Sequence, residues 1–281
     1  MGPRSGPCLL ADAWHRLVGP DHSSAPSRCA IHSGYFPTGP DIAGVLWHRD
    51  RVILLHQFEV SPFCDKVRRV LHYKRRPFET REVPPTETLV RLRRLNPIGK
   101  VPVLEHDGNV ISDSSEIVRH LEASFPDPPL FPVSTRERAL CHFIEDWADE
   151  SLYFIELWLR FGVRENAEEW SRRASHSEPP LIRRATEAAL PTLMRNVLKA
   201  QGTGRKSPDA VLADLDRHLD AIAAWLEGDW LVGDRLTIAD IATYSQLACA
   251  GETDEGASVL GKHPRVLEWM ERVNGATSPA V

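Results

Sequence analysis

The apolar positions of this chain change period several times, and each change marks an element. Residues 52–58, "VILLHQF", form a β-branched and apolar run that predicts a buried strand. The run breaks at Ser61-Pro62. Beyond it, Phe63, Val67, Val70, Leu71 and Tyr73 fall close to one helical face, with Ser61 as N-cap and Pro62 in the first turn. "PFETREV" predicts a second short strand, and "TETLVRLRRLNP" predicts a short helix that stops before Pro97. Residues 101–104 and 109–111 flank "HDG", an Asp-Gly turn joining two strands. Asp113-Ser114-Ser115-Glu116 then opens a helix running to about Ser124. Strand, helix, strand, helix, hairpin and helix make a compact α/β unit, assigned to residues 52–127.

The proline-rich "PDPPLFPVS" follows, with residues 128–134 as the linker. Residues 135–276 are helical in pattern, with helices expected at 135–162, 179–201, 207–228, 237–250 and 263–274. In "TIADI", Thr237 is the N-cap and Asp240 the acidic residue of a capping-box variant. Asn274-Gly275 predicts the stop of the last helix. Residues 1–51 are rich in Gly, Pro and Ser with no sustained period, which predicts a poorly ordered extension. A targeting peptide needs more positive charge than Asp12, Asp21 and Asp41 leave there, and a misassigned upstream start codon would produce a similar segment.

Composition narrows the function classes. The 281 residues are 42% hydrophobic, average for a globular chain, and the net charge of −5 argues against a general nucleic-acid binder. No apolar run approaches the roughly 20 residues that span a bilayer, so no membrane partner is expected. Five scattered cysteines make neither a disulfide framework nor a zinc pattern, so no metal is expected and a reducing, cytoplasmic setting is.

"SPFC…KVR", "NPIGKVPVL", "DSSEIVRHL" and "DWLVGDRLTIADIAT", in that order, resemble the glutathione transferase superfamily over about residues 52–275. The resemblance implies a thioredoxin-like N-terminal domain that holds glutathione and an all-α C-terminal domain that shapes the pocket for a second, hydrophobic and electrophilic substrate. It implies a homodimer. Glutathione carries two carboxylates, one ammonium and a thiol, so its site needs backbone pairing, anion donors and a thiolate stabiliser. Val101-Pro102 resembles the family's cis-proline, whose preceding residue offers its backbone to the cysteinyl part. Asp113-Ser114 matches the acidic-Ser pair that receives the γ-glutamyl end, and a helix N-terminus is a natural carboxylate seat; the same two residues also make a good cap without any ligand. Lys100 faces the glycine carboxylate in this reading, and Phe63 belongs to the glutathione site. Residues 66–94 hold ten Lys/Arg against three acids, an excess of seven that suits an anion, although a solvated helix face explains it equally well.

The remaining choice is between Ser61 and Cys64. Ser61 stands where glutaredoxin-like relatives carry a nucleophilic cysteine, at a helix N-terminus that stabilises a negative sulfur. A serine forms no mixed disulfide, but its hydroxyl can donate to the glutathione thiolate; it can also be an N-cap and nothing more. Cys64 occupies the resolving position, as a structural thiol or as a redox site. Tyr153, Phe154, Trp158 and Phe161 are candidates for the apolar pocket or for core. The expectation is a glutathione transferase with Ser61 as activator. The alternatives are a glutathione-dependent thiol–disulfide or peroxide oxidoreductase using Cys64, and a non-catalytic glutathione- or protein-binding member of the fold.

Overall fold

The computed structural model of this chain describes residues 53–279, except for 91, 93–95 and 97 and the side chains of 88–90. The extension expected at 1–51 lies outside these residues, as do Arg91, Arg93 and Arg94 of the basic segment.

The α/β part follows the predicted order: β1 (Ile53–Gln57), α1 (Pro62–Tyr73), β2 (Phe78–Glu82), α2 (Pro85–Val90), β3 (Val103–His106), β4 (Asn109–Ser112) and α3 (Ser114–Ser124). The strands form one sheet in the order β2-β1-β3-β4, with β2 parallel to β1 and the other pairs antiparallel. The hairpin turn has Asp107 and Gly108 both at positive φ (50° and 75°), the geometry an Asp-Gly pair favours. α1 buries Val67, Val70 and Leu71 between the sheet and the helical domain.

The helical part runs α4 (Thr135–Trp147), α5 (Tyr153–Phe161), α6 (Arg164–Ala174), α7 (Pro180–Gln201), α8 (Pro208–Trp225), α9 (Ile238–Gly251), α10 (Asp254–Leu260) and α11 (Pro264–Thr277). Three results differ from the sequence reading. The helix expected at 135–162 contains a π turn at Ala148–Leu152 that separates α4 from α5. The polar α6, which buries only Ala167, Trp170, Ser171 and Ala174, and the short α10 were not anticipated. α11 passes through Asn274-Gly275 to Thr277, because Arg69 of α1 donates to Asn274 Oδ1 (3.1 Å) and Thr277 Oγ1 (2.9 Å) and holds the last turn.

All of α9 is buried, which makes it the centre of the helical domain. Its start depends on Asp240. One carboxylate oxygen accepts from Thr237 N–H and Oγ1, both at 2.9 Å. The other accepts from Leu231 N–H (2.8 Å) and from Trp269 Nε1 of α11 (2.9 Å). Asp240 therefore caps α9 and ties two further segments to it. Removing the carboxylate leaves several buried donors without acceptors. We expect Asp240→Ala to destabilise the protein by about 3 kcal/mol or more in equilibrium denaturation. A loss below about 1 kcal/mol would mean that water replaces the carboxylate.

Candidate active site

Sheet register decides which loops meet. β1 pairs His56 with Val103 of β3, and β3 pairs Val103 with Ser112 of β4. At this end of the sheet the chain leaves β1 toward Ser61, enters β3 from Val101-Pro102, and leaves β4 into Asp113-Ser114. β2 runs parallel to β1, so its exit toward Pro85 and Thr86 lies at the same end. Strand pairing alone gathers segments as much as 53 residues apart.

Ser61 sits at the N-cap of α1, and its Oγ accepts a long hydrogen bond from Cys64 N–H, 3.4 Å. The cap is real but weak, and Ser61 also lines the cavity between the domains. Each carbonyl of the loop has a donor. Phe58 C=O accepts from Ser61 N–H (2.9 Å), Glu59 C=O from Arg68 (3.2 Å), Val60 C=O from Arg160 (2.9 Å) and Ser61 C=O from Asp65 N–H (2.9 Å). Cys64 points the other way. Its sulfur is 0% exposed and accepts from Phe58 N–H at 3.4 Å, and burial pushes its thiol up to about 11.

Val101–Pro102 is cis. The backbone N–H and C=O of Val101 have no partner among the described residues, and Val101 lines the cavity. Asp113 caps α3, accepting from Ser115 N–H (2.9 Å) and Glu116 N–H (3.3 Å). It does so at φ 77° and ψ 129°, a backbone conformation costing about 1–3 kcal/mol for a non-glycine residue. Ser114 beside it is buried, whereas Lys100 is exposed. Lys100, Asp113 and Ser114 share the sheet end with Ser61 but do not line the cavity.

The cavity, of about 560 Å³, opens between the two domains. Ser61, Phe63 and Val101 line it from the sheet side, Tyr153, Leu157, Arg160 and Phe161 from α5, and Ile182, Ala185, Ala189 and Leu193 from α7. Tyr153 stacks on Phe63 at 4.9 Å between ring centroids, and burial pushes its phenol up to about 12, so it stays protonated. Of the four aromatic candidates, Tyr153 and Phe161 reach the cavity, while Trp158 is core and Phe154 packs on Tyr153.

Beneath Ser114 lies a polar network that the sequence reading missed. Lys66, 1% exposed, meets Glu145 (2.6 Å) and Asp149 (2.7 Å) across the domain boundary and also donates to Ser115 Oγ at 3.1 Å. Ser115 Oγ donates to Glu145 at 2.8 Å. Lys74 is equally buried, donating to Glu122 and to the carbonyls of Phe125 and Pro128. The basic excess is therefore not simply a solvated face: two of its lysines are structural. Lys66 follows Phe63 and precedes Val70 on the apolar face, and that placement was the available signal.

Comparison with known proteins agrees with this geometry. Residues 55–129 match the glutathione S-transferase N-terminal domain, and residues 184–276 match its C-terminal domain. A probable glutathione S-transferase of Oryza sativa subsp. indica, GSTU1, is 34% identical over 242 residues, 82% of this chain and 89% of that protein. The chain belongs to the glutathione S-transferase family. FtsZ-localized protein A of Caulobacter vibrioides is 29% identical over 199 residues, 69% of this chain and 75% of that protein. Glutathione S-transferase 1 of Dianthus caryophyllus is 42% identical over 89 residues, and the chain spans only 40% of its length. The crystal structure of the beta-etherase LigF from Sphingobium sp. strain SYK-6 shares the fold, with a TM-score of 0.57 at 24% identity over 79% of this chain and 95% of that one.

The environment of Cys64 gives a direct expectation. In the native transferase fold, Cys64 stays unmodified by a thiol-alkylating reagent at pH 7 to 8, and reacts once the chain is unfolded. Peptide mapping by mass spectrometry checks this, and rapid native labelling of Cys64 would contradict the burial described above.

Proposed function

We propose that the chain is a glutathione transferase in which Ser61 donates a hydrogen bond to the glutathione thiolate and the interdomain cavity receives a hydrophobic electrophile. The observation that carries this reading is Ser61 at the mouth of α1, lining the same cavity as Val101, whose backbone has no partner among the described residues, and an apolar wall from the helical domain. Glutathione supplies the nucleophilic sulfur. The residues at the sheet end suit its other groups: Val101 N–H and C=O for its cysteinyl backbone, and Ser114 with the α3 N-terminus for the γ-glutamyl carboxylate. Lys100 serves the glycine carboxylate, Phe63 packs beside the thiol, and Asp113 serves the ammonium while capping α3. Pro102 fixes the turn that aims Val101. A cytoplasmic homodimer is the assembly this reading carries, with a domain division at 128–134.

Cys64 is a poor redox centre on the same observations. A thiol that is buried and raised to about 11 supplies almost no thiolate at neutral pH. A second reading, glutathione or protein binding without turnover, draws support from the relative named for its localisation with FtsZ. Nothing in the cavity itself favours it over transfer.

The test compares wild type, Ser61→Ala and Cys64→Ala by thiolate absorbance of bound glutathione and by turnover of chlorodinitrobenzene. We expect Ser61→Ala to lower kcat/KM about 100-fold and to return the bound thiol toward its free pKa. Cys64→Ala should change kcat/KM less than about threefold, because it removes no group from the cavity. Glutathione bound with a protonated thiol in all three would discard the transferase reading in favour of the binding one.

A further inference from the structure

We propose that Arg160 is a positioning residue for Ser61, holding the Val60–Ser61 peptide from the helical domain; this role rests on the transferase reading above. The peptide group is planar, so two contacts on opposite edges fix it. On one edge Ser61 N–H donates to Phe58 C=O at 2.9 Å. On the other, Val60 C=O accepts from Arg160 Nη1 at 2.9 Å, across 100 residues of sequence. With that plane pinned, and Ser61 C=O held by Asp65 N–H at 2.9 Å on the next peptide, the remaining freedom of Ser61 Oγ is its side-chain torsion.

Arg160 is itself held rigidly. It is 5% exposed, and its Nη2 donates to Glu156 Oε2 at 2.7 Å while its Nε pairs with the other carboxylate oxygen. The guanidinium carbon lies 4.8 Å from the centroid of Trp170. A planar fork held by Glu156 and flanked by Trp170 aims its Nη1 donor in one direction, which a lysine could not do. Burying such a pair is a poor route to stability, since apolar residues of similar volume do as well or better. What the pair supplies that apolar residues cannot is the donor aimed at Val60. Arg160 also lines the cavity between Leu157 and Phe161, so the helix that meets the second substrate also sets the serine. Sequence spacing gives no sign of this, because Glu156 and Arg160 read as an ordinary surface pair at i and i+4.

The test is a double-mutant cycle on glutathione-thiol pKa and on kcat with chlorodinitrobenzene. Arg160→Lys keeps the charge opposite Glu156 and is expected to fold; Glu156→Leu with Arg160→Met removes both charges and covers the case in which it does not. In the Ser61 background we expect either variant to lower kcat about tenfold and raise the bound-thiol pKa, with glutathione affinity within about threefold. In the Ser61→Ala background the same changes should lower kcat less than about twofold, because Arg160 acts through Ser61. Equal losses in both backgrounds, or no change in thiol pKa, would reduce Arg160 to a structural residue. If Ser61→Ala alone leaves wild-type thiol ionisation and turnover intact, the serine reading falls first and takes this role with it.

Discussion

Burying a charged helix between two domains requires each of its charges to find a partner, and α1 finds them within its own domain and across the boundary. Lys66 reaches Glu145 and Asp149, and Arg69 pairs with Asp65 at 2.6 Å and grips the end of α11 while lying 4.1 Å over the Tyr244 ring. Lys74 closes the far end against Glu122 and two carbonyls. A lone buried ammonium would be driven toward its neutral form; here the two carboxylates keep Lys66 raised above its usual range. Docking on the helical domain is therefore what supplies Lys66 with its counter-charges. The cavity is lined from both sides of that docked boundary.

The site inherits its precision from the same docking. One wall, with Phe63 and Val101, belongs to the sheet end; the other, with Tyr153, Leu157 and Phe161, belongs to α5. Two interdomain bonds flank the opening. Arg160 reaches back to Val60, and Glu178, buried before α7, accepts from Thr86 N–H at 2.8 Å and from the Thr86 hydroxyl. The helical domain thus supplies one wall of the cavity and also holds the loops at the sheet end. α7 contrasts with this, since Leu198 alone is buried on it and Leu181, Ile182 and Leu193 are exposed.

Much of this was legible in the sequence. The alternation of strand and helix gave the α/β unit in order, the Asp-Gly turn gave the hairpin, and Thr237 with Asp240 gave the start of α9. Ser61 and Asp113 could be singled out as caps from local signals, whereas Phe63, Lys100, Val101, Pro102 and Ser114 were marked as site candidates by the resemblance of their motifs to the family. Two helices escaped for physical reasons. α6 buries a stripe too narrow to dominate its charges, and α10 is short and carries Gly256, where a Cβ would come within 2.0 Å of Ala250 C=O. The Asn274-Gly275 stop failed because a distant arginine holds the last turn.

The sequence by itself determined the order of elements, the division between mixed and helical halves, the caps, and the residue types at the sheet end. These depend on periodicity and on contacts within a few residues, which a single chain displays directly. Tertiary structure alone decided that Cys64 faces the core and Ser61 the cavity, although both lie within one turn of α1. It also turned Lys66, Glu156 and Arg160 from apparent surface charges into buried partners. Contacts made across 80 to 100 residues, Lys66 with Asp149 and Arg160 with the Val60 carbonyl, leave no periodic trace, because such partners are chosen by how two domains dock and not by their neighbours along the chain.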